Sequence, residues 1–265
     1  MPRITVNGVE LNYIDTGTGA QTIVFSHGFL MSNALFAQQV AHFQDRYRCI
    51  AYDHRGQAKS SVPADGYDMD TQAEDAAALI KALGVGPCHF VGLSMGGFVG
   101  MRLAVKYPEL LKSLVLLDTS ADPEPTASRK KYKLLGFVAR WFGFKLVVDK
   151  SMSILFGKTF MSDPTRADDR AQWRDHIVNG HDVGGVLNAL GGVVGRPSFY
   201  EKLGQITVRT QVMVGDEDIA TIPAKGERIA QAIPGAGFEL IAGAGHSAPV
   251  EQPAAVNAAL EKFWA

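Results

Sequence analysis

The sequence predicts a doubly wound α/β sheet interrupted by one helical insertion, and three observations lead there. Short, continuously apolar runs recur at residues 22–25, 48–52, 89–92 and 114–117, the pattern of strands buried on both faces of a parallel sheet. Segments with helical spacing alternate with them at 34–43, 71–83 and 95–106. A β-α-β order of this kind implies parallel strands joined by crossover helices. Finally, the rhythm stops near Ser120 and resumes at Val208, so residues 120–205 read as an insertion into one domain made of 1–119 and 206–265.

The chain opens with β structure. Asn7-Gly8 separates two alternating apolar runs, 4–6 and 9–11, which is a strong signal for a tight antiparallel hairpin. The three strand–helix pairs come next. Asp122-Pro123-Glu124-Pro125 opens the insertion, where helical patches at 132–148 and 173–180 are separated by glycine breaks at Gly184-Gly185 and Gly191-Gly192. A strand at 208–215, a helix at 223–232, a strand at 238–241 and a last helix reaching Trp264 complete the chain.

Composition removes several function classes. The 265 residues carry 26 Lys and Arg against 27 Asp and Glu, a net charge of -1, which gives no electrostatic footprint for nucleic acid. The one basic run, Arg129, Lys130, Lys131 and Lys133, reads as a solvated helix face. No uncharged apolar stretch reaches the ~20 residues that span a bilayer, and the start of the chain lacks signal-peptide character. The expectation is a cytoplasmic protein without stable membrane association. Cys49 and Cys88 each lie beside a strand-like run rather than in a metal-ligand or disulfide pattern, so neither a metal nor a disulfide framework is expected.

Gly92-Leu93-Ser94-Met95-Gly96 matches G-x-S-x-G where an apolar strand gives way to a helix, the context that exposes a nucleophilic serine on a sharp turn. A hydroxyl needs a general base, and the base needs a carboxylate to orient it. His246 comes after the last strand and lies at the carboxyl edge of the sheet, on the same edge as Ser94. Asp218 comes after the strand that ends at Gly215, with Asp118, after the strand at 114–117, as the rival acid. Oxyanion donors are expected from the amides of Met95 and Phe29, the latter after His27-Gly28. His27 itself reads as structural.

Taken together, His27-Gly28, Asp53-His54-Arg55-Gly56, Gly92-Leu93-Ser94-Met95-Gly96-Gly97, Asp218 and Gly245-His246 resemble the α/β-hydrolase superfamily, in its order of Ser, Asp, His. The resemblance covers nearly the whole chain outside residues 120–205. It implies an eight-stranded, mostly parallel sheet with helices on both faces, and a helical cap inserted after the sixth strand over a Ser94, His246 and Asp218 triad. One departure stands out. Members often read D-x-R-G-x-G-x-S, and Ala58 occupies the place of the second glycine.

A serine nucleophile separates this chain from the similar dehalogenases and epoxide hydrolases, which attack with aspartate. The expected function is a serine esterase or lactonase acting on small to medium, largely apolar substrates through an acyl-enzyme, without metal or organic cofactor. Alternatives on the same scaffold are a C-C bond hydrolase, a cofactor-free perhydrolase and a non-catalytic receptor. Leu30 and Met31 are expected to line the pocket floor, with Trp141 contributing from the insertion. Arg102, Arg129 or Arg140 would be sought near the pocket if the substrate carried a carboxylate.

Overall fold

The computed structural model describes residues 2–265. Eight strands, β1 (Arg3–Val6), β2 (Val9–Asp15), β3 (Thr22–Ser26), β4 (Arg48–Tyr52), β5 (Cys88–Leu93), β6 (Leu111–Leu117), β7 (Thr210–Gly215) and β8 (Gly237–Ile241), form one sheet in the order β1-β2-β4-β3-β5-β6-β7-β8. Only the pairings of β2 are antiparallel. At the hairpin, Val6 pairs with Val9, and Asn7 and Gly8 both take positive φ (46° and 72°), the geometry that suits the right-handed twist of the flanking strands.

Helices α1 (Ala37–Phe43), α2 (Met69–Leu83) and α3 (Met95–Lys106) make the first crossovers. Between β6 and β7 come α4 (Thr126–Phe142), α5 (Val148–Leu155), α6 (Lys158–Ser162), α7 (Ala167–Asn179) and α8 (Val183–Gly195). Helix α9 (Pro223–Ala232) connects β7 to β8, and α10 (Ala248–Glu251) and α11 (Pro253–Trp264) close the chain. None of these helices is long and apolar enough to cross a membrane.

The central strands are apolar throughout because each successive side chain enters a different core. Ile23, Phe25, Val91, Leu93, Val115, Leu117 and Met213 face one hydrophobic layer, which contains Phe43 of α1 and Leu260 of α11. Their sequence neighbours Val24, Phe90, Leu114, Leu116, Val212 and Val214 face the other, which contains Leu79 of α2, Met101 of α3 and Ile229 of α9. The chain runs from β3 outward to β4 and then returns across β3 to β5. The carboxyl ends of β3 and β5 therefore flank the point where strand order reverses, the usual crevice of an open α/β sheet.

Two details of the insertion differ from the sequence reading. The glycines expected to break it lie inside α8, two turns apart on one helical face. A Cβ on Gly185 would stand 2.1 Å from the Gly56 carbonyl oxygen, and one on Gly192 would stand 1.9 Å from that of Tyr67. Their job is close approach to the 56–67 loop, which tertiary packing rewards over helix propensity. The patch expected at 132–148 ends early, because Gly143 (φ 81°) stops α4 after Phe142.

Ala58, which stands where the family pattern has glycine, keeps the positive φ (46°) that glycine would adopt. That conformation costs an L-residue about 1–2 kcal/mol.

Gly192→Ala is expected to lower the unfolding free energy by about 1–3 kcal/mol. Gly191→Ala, where an added Cβ meets nothing within 4 Å, should be neutral or stabilise by up to ~1 kcal/mol. Denaturant melts of the two variants beside wild type check this; equal effects would refute the close-approach account.

Candidate active site

The turn between β5 and α3 holds Ser94 at φ 52° and ψ -108°, a conformation that costs a non-glycine residue about 1–3 kcal/mol. Three hydrogen bonds fix it there. The Ser94 N–H donates to the Leu117 carbonyl (2.9 Å), and its own carbonyl accepts from the Phe98 N–H (3.0 Å) and from Thr119 Oγ1 (2.8 Å). The turn is sharp enough that a Cβ on Gly92 would lie 2.3 Å from the Gly96 carbonyl oxygen, and a Cβ on Gly96 would lie 2.0 Å from that of Ser26. Both flanking glycines of the motif are therefore required by the approach of α3 to β3 and β5.

From the ends of β7 and β8 two more side chains reach the same place. Ser94 Oγ lies 2.8 Å from His246 Nε2, and His246 Nδ1 lies 2.8 Å from Asp218 Oδ2. The Asp218 carboxylate is held in turn by the N–H groups of Ala220 (2.7 Å) and Thr221 (3.0 Å) and by the Thr221 hydroxyl (2.7 Å). Burial opposes charge on both partners, yet the pair outweighs it. Asp218 is held below the usual carboxylate value by His246 and the Thr221 donors, and His246 is held above the usual imidazole value by Asp218.

Asp118, the rival acid, takes a different role. Its Oδ1 accepts the Gly215 N–H (2.7 Å), and its Oδ2 is buried without a partner among the described residues. Burial, reinforced by the nearby Asp218 charge, pushes its carboxyl well above the usual range. Asp118 braces the end of β7, from which the Asp218 loop departs.

Glu251, which sequence reasoning did not single out, accepts from the N–H groups of Gly245 (2.9 Å) and Ser247 (3.0 Å), the two neighbours of His246, and from Gly157 (2.8 Å) of the insertion. The loop carrying His246 is thus clamped from both sides.

The loop after β3 forms the opposite lip. Met95 is the first residue of α3, so its amide has no carbonyl four residues back inside the helix, and Phe29 lines the cavity beside Ser94. Leu30, at φ 62°, donates its N–H to Gln57 Oε1 (2.8 Å), and its carbonyl lies 3.2 Å from His181 Nε2. His181 Nδ1 accepts the Ala58 N–H (3.1 Å), which assigns the ring proton to Nε2 and makes that nitrogen the donor to Leu30. Burial, aided by His176 and His27, lowers His181 to about 3. His27 is buried as well; its Nδ1 pairs with the Gly28 carbonyl (2.7 Å), its Nε2 accepts the His54 N–H (3.0 Å), and burial lowers it to about 4.

Ser94, 8% exposed, and His246 open into a cavity of about 120 Å³ walled mostly by apolar side chains of α4, α5 and α8. On α4 the wall comes from Tyr132, Leu135, Gly136 and Ala139, spaced as one helical face. Trp141 is on the other face, 66% exposed, and does not line the cavity. Met31, 1% exposed, packs into the hydrophobic layer beneath and also stays off the wall. Leu30 does line it.

Among arginines, the wall takes Arg196 rather than Arg102, Arg129 or Arg140, together with Glu124 and Tyr132. A lone Arg between Gly195 and Pro197 carries no periodic signal, so only the fold reveals it. A larger, more polar cleft of about 670 Å³ between residues 34–38 and α7 contains none of Ser94, His246 and Asp218. Among the described residues no cluster of three or more His, Cys, Asp or Glu side chains is arranged to hold a metal.

These environments separate the histidines. His246 should titrate above its ordinary value of 6.5, whereas His27 and His181 should stay neutral down to about 4 and about 3. The sign for stability is opposite. His246 contributes most below its unfolded pKa and less as pH rises through its folded value; His27 and His181 contribute above ~6.5 and lose this as pH falls toward their folded values. A long-range ¹H–¹⁵N NMR titration of the imidazoles checks the order, and His246 titrating below 6.5 would refute it.

Comparison with known proteins agrees with the fold. Residues 21–253 match the family model described as the alpha/beta hydrolase fold. The chain is 28% identical to 3-oxoadipate enol-lactonase 2 of Acinetobacter baylyi, over 97% of this chain and 94% of that one. A thermophilic esterase from Thermogutta terrifontis superposes with a TM-score of 0.91 at 29% identity, covering 100% of this chain and 98% of the other. The enol-lactonase from Burkholderia xenovorans gives 0.91 at 27% identity, covering 99% of each chain. Sheet order, strained turn and whole-length similarity agree, and the chain belongs to the α/β-hydrolase fold family.

Proposed function

We propose that this hydrolase cleaves carboxylic esters or lactones of small to medium, largely apolar substrates through an acyl-enzyme on Ser94. The observation that carries the reading is the chain of contacts from Ser94 Oγ to His246 to Asp218, each 2.8 Å, at the end of a mostly apolar cavity. The similarity to an esterase and to enol-lactonases supports the same chemistry.

In this reading Ser94 Oγ attacks the carbonyl carbon while His246 Nε2 takes its proton. The oxygen that becomes negative is received by the amides of Met95 and Phe29. His246 then protonates the leaving oxygen, which departs as an alcohol or, from a lactone, stays attached as the far end of the acyl chain. Water, giving its proton to His246, attacks the acyl-enzyme and releases the acid. Asp218 keeps Nδ1 protonated and stabilises the imidazolium in both halves. Residues 120–205 serve as a cap that excludes bulk water from the reacting atoms and supplies the apolar wall that selects the acyl group.

Steady release of p-nitrophenol from acetate, butyrate and octanoate esters is expected from wild type and should be lost in Ser94→Ala and His246→Ala. Absence of Ser94-dependent turnover on all three would reject the reading. Asp218→Asn should lower kcat by about 10³–10⁴.

Because the base must be neutral to act, kcat/KM should rise with pH through the pKa of free His246, which is above 6.5. Asp218→Asn removes the charge that raises it and should move this acid limb to lower pH. A pH–rate profile with the limb unmoved in the variant would count against Asp218 as the partner.

A further inference from the structure

Apart from Ser151, whose hydroxyl donates to the Val147 carbonyl one turn back (3.1 Å), the cavity wall is apolar except at two places. One is Ser94 with its partners; the other is a cluster of Glu124, Tyr132 and Arg196. Arg196 is 4% exposed, and its guanidinium lies over the Phe98 ring, 4.1 Å from the centroid. Phe98 is the fourth residue after Ser94, in α3, and lines the same cavity.

The donors of Arg196 are only partly used. Nη1 donates to the Val193 carbonyl (2.6 Å) and to Glu124 Oε2 (3.1 Å); Nε is buried and shut off from any ligand, whereas Nη2 bonds to no described residue and is not among the buried, enclosed atoms. The Tyr132 hydroxyl likewise makes no hydrogen bond among the described residues. A buried guanidinium with spare donors is weak support for a fold, and its place on the wall of a reaction cavity calls for another account.

The charges at this end are balanced. Arg196 is matched by Glu124, and Arg102, the other buried cation nearby, is matched by Asp70 (3.3 Å). A carboxylate arriving here would face the Glu124 carboxylate in a site of low dielectric, where like charges repel strongly. A plain alkyl chain would cover the spare donors and leave them unpaired. An uncharged acceptor satisfies them without adding charge.

Resting on the ester or lactone reading above, we infer that Arg196 and Tyr132, charge-balanced by Glu124, form a subsite for an uncharged hydrogen-bond acceptor carried on the acyl chain of the substrate. A ketone or amide carbonyl along the acyl chain has the chemistry. Sites built to hydrogen-bond a substrate group discriminate against analogues that lack it.

Three p-nitrophenyl esters of matched length test this: hexanoate, 5-oxohexanoate and hemiglutarate. Wild type should favour 5-oxohexanoate over each of the others by about tenfold or more in kcat/KM, chiefly through KM. The ratio of oxo to plain ester should fall to near one in Arg196→Met and fall several-fold in Tyr132→Phe. Glu124→Gln, which unmasks the Arg196 charge, should shift preference to hemiglutarate.

A wild-type preference for hexanoate or hemiglutarate, or an oxo preference carried unchanged into Arg196→Met, overturns the subsite while leaving the ester reading intact. If Arg196→Met does not fold, as judged by circular dichroism, Tyr132→Phe decides by the same ratio. If wild type turns over none of the esters, the ester reading fails. The subsite is then judged by calorimetric Kd values for the hexanoate and oxo esters on Ser94→Ala with and without Tyr132→Phe, where an equal ratio overturns it.

Discussion

The approach of α3 to the carboxyl ends of β3 and β5 is the constraint on which the site depends. With no Cβ on Gly96, the helix comes so near the Ser26 carbonyl that an added carbon would sit 2.0 Å from it. The chain can then leave β5 and enter α3 within a single strained residue. The strain is stored at Ser94, about 1–3 kcal/mol, and is over-determined by bonds from Leu117, Phe98 and Thr119. Since β6 supplies Leu117 and the segment after it supplies Thr119, the sheet itself holds the hydroxyl forward. Reversal of strand order between β3 and β5 places the Phe29 loop on the other lip.

Around this fixed point the protein treats buried ionisable groups in two ways. His27, His54 and His181 lie in interiors that disfavour their charge, so each acts as a neutral ring. His181 illustrates the benefit. With one nitrogen accepting from Ala58 and the other donating to Leu30, it links two loops of the sheet's carboxyl edge to the turn between α7 and α8. His246 is equally buried, and Asp218 above all, with smaller contributions from Asp118 and Glu251, reverses the outcome. The contrast rests chiefly on one carboxylate that is itself satisfied by the backbone of Ala220 and Thr221.

Much of this was legible in the sequence for identifiable reasons. Strands buried on both faces leave uninterrupted apolar runs, and a strand–turn–helix elbow leaves its two glycines, so the sheet and Ser94 are readable locally. His246 and Asp218 become legible once the strand ends are placed, because the loops leaving parallel strands all gather at the carboxyl edge. Side-chain direction in the insertion is not legible in this way. Trp141 has the size of a pocket residue, but on α4 it lies two positions from Ala139 and so faces away from the wall that Ala139 forms. Gly185 and Gly192 read as breaks, since a glycine that permits contact is indistinguishable in sequence from one that ends a helix. Arg196 and Glu251 are single residues, each with a partner far along the chain, 72 residues for Arg196 with Glu124 and 94 for Glu251 with Gly157.

The boundary between legible and illegible residues coincides with the division of labour in the molecule. Groups proposed to set the reacting geometry belong to the sheet edge, where strand order and close packing leave few alternatives and local sequence must comply. Groups that shape the cavity come from α4, α5 and α8, which approach the sheet through contacts such as Gly192 on Tyr67 and Glu251 on Gly157. A change in the register of α8 would move Val186, Leu190 and Arg196 along the wall together while leaving Ser94, His246 and Asp218 in place. Under the proposed function, selectivity can therefore vary through α8 without replacing the residues of the strained turn, although the insertion and the sheet share one hydrophobic layer.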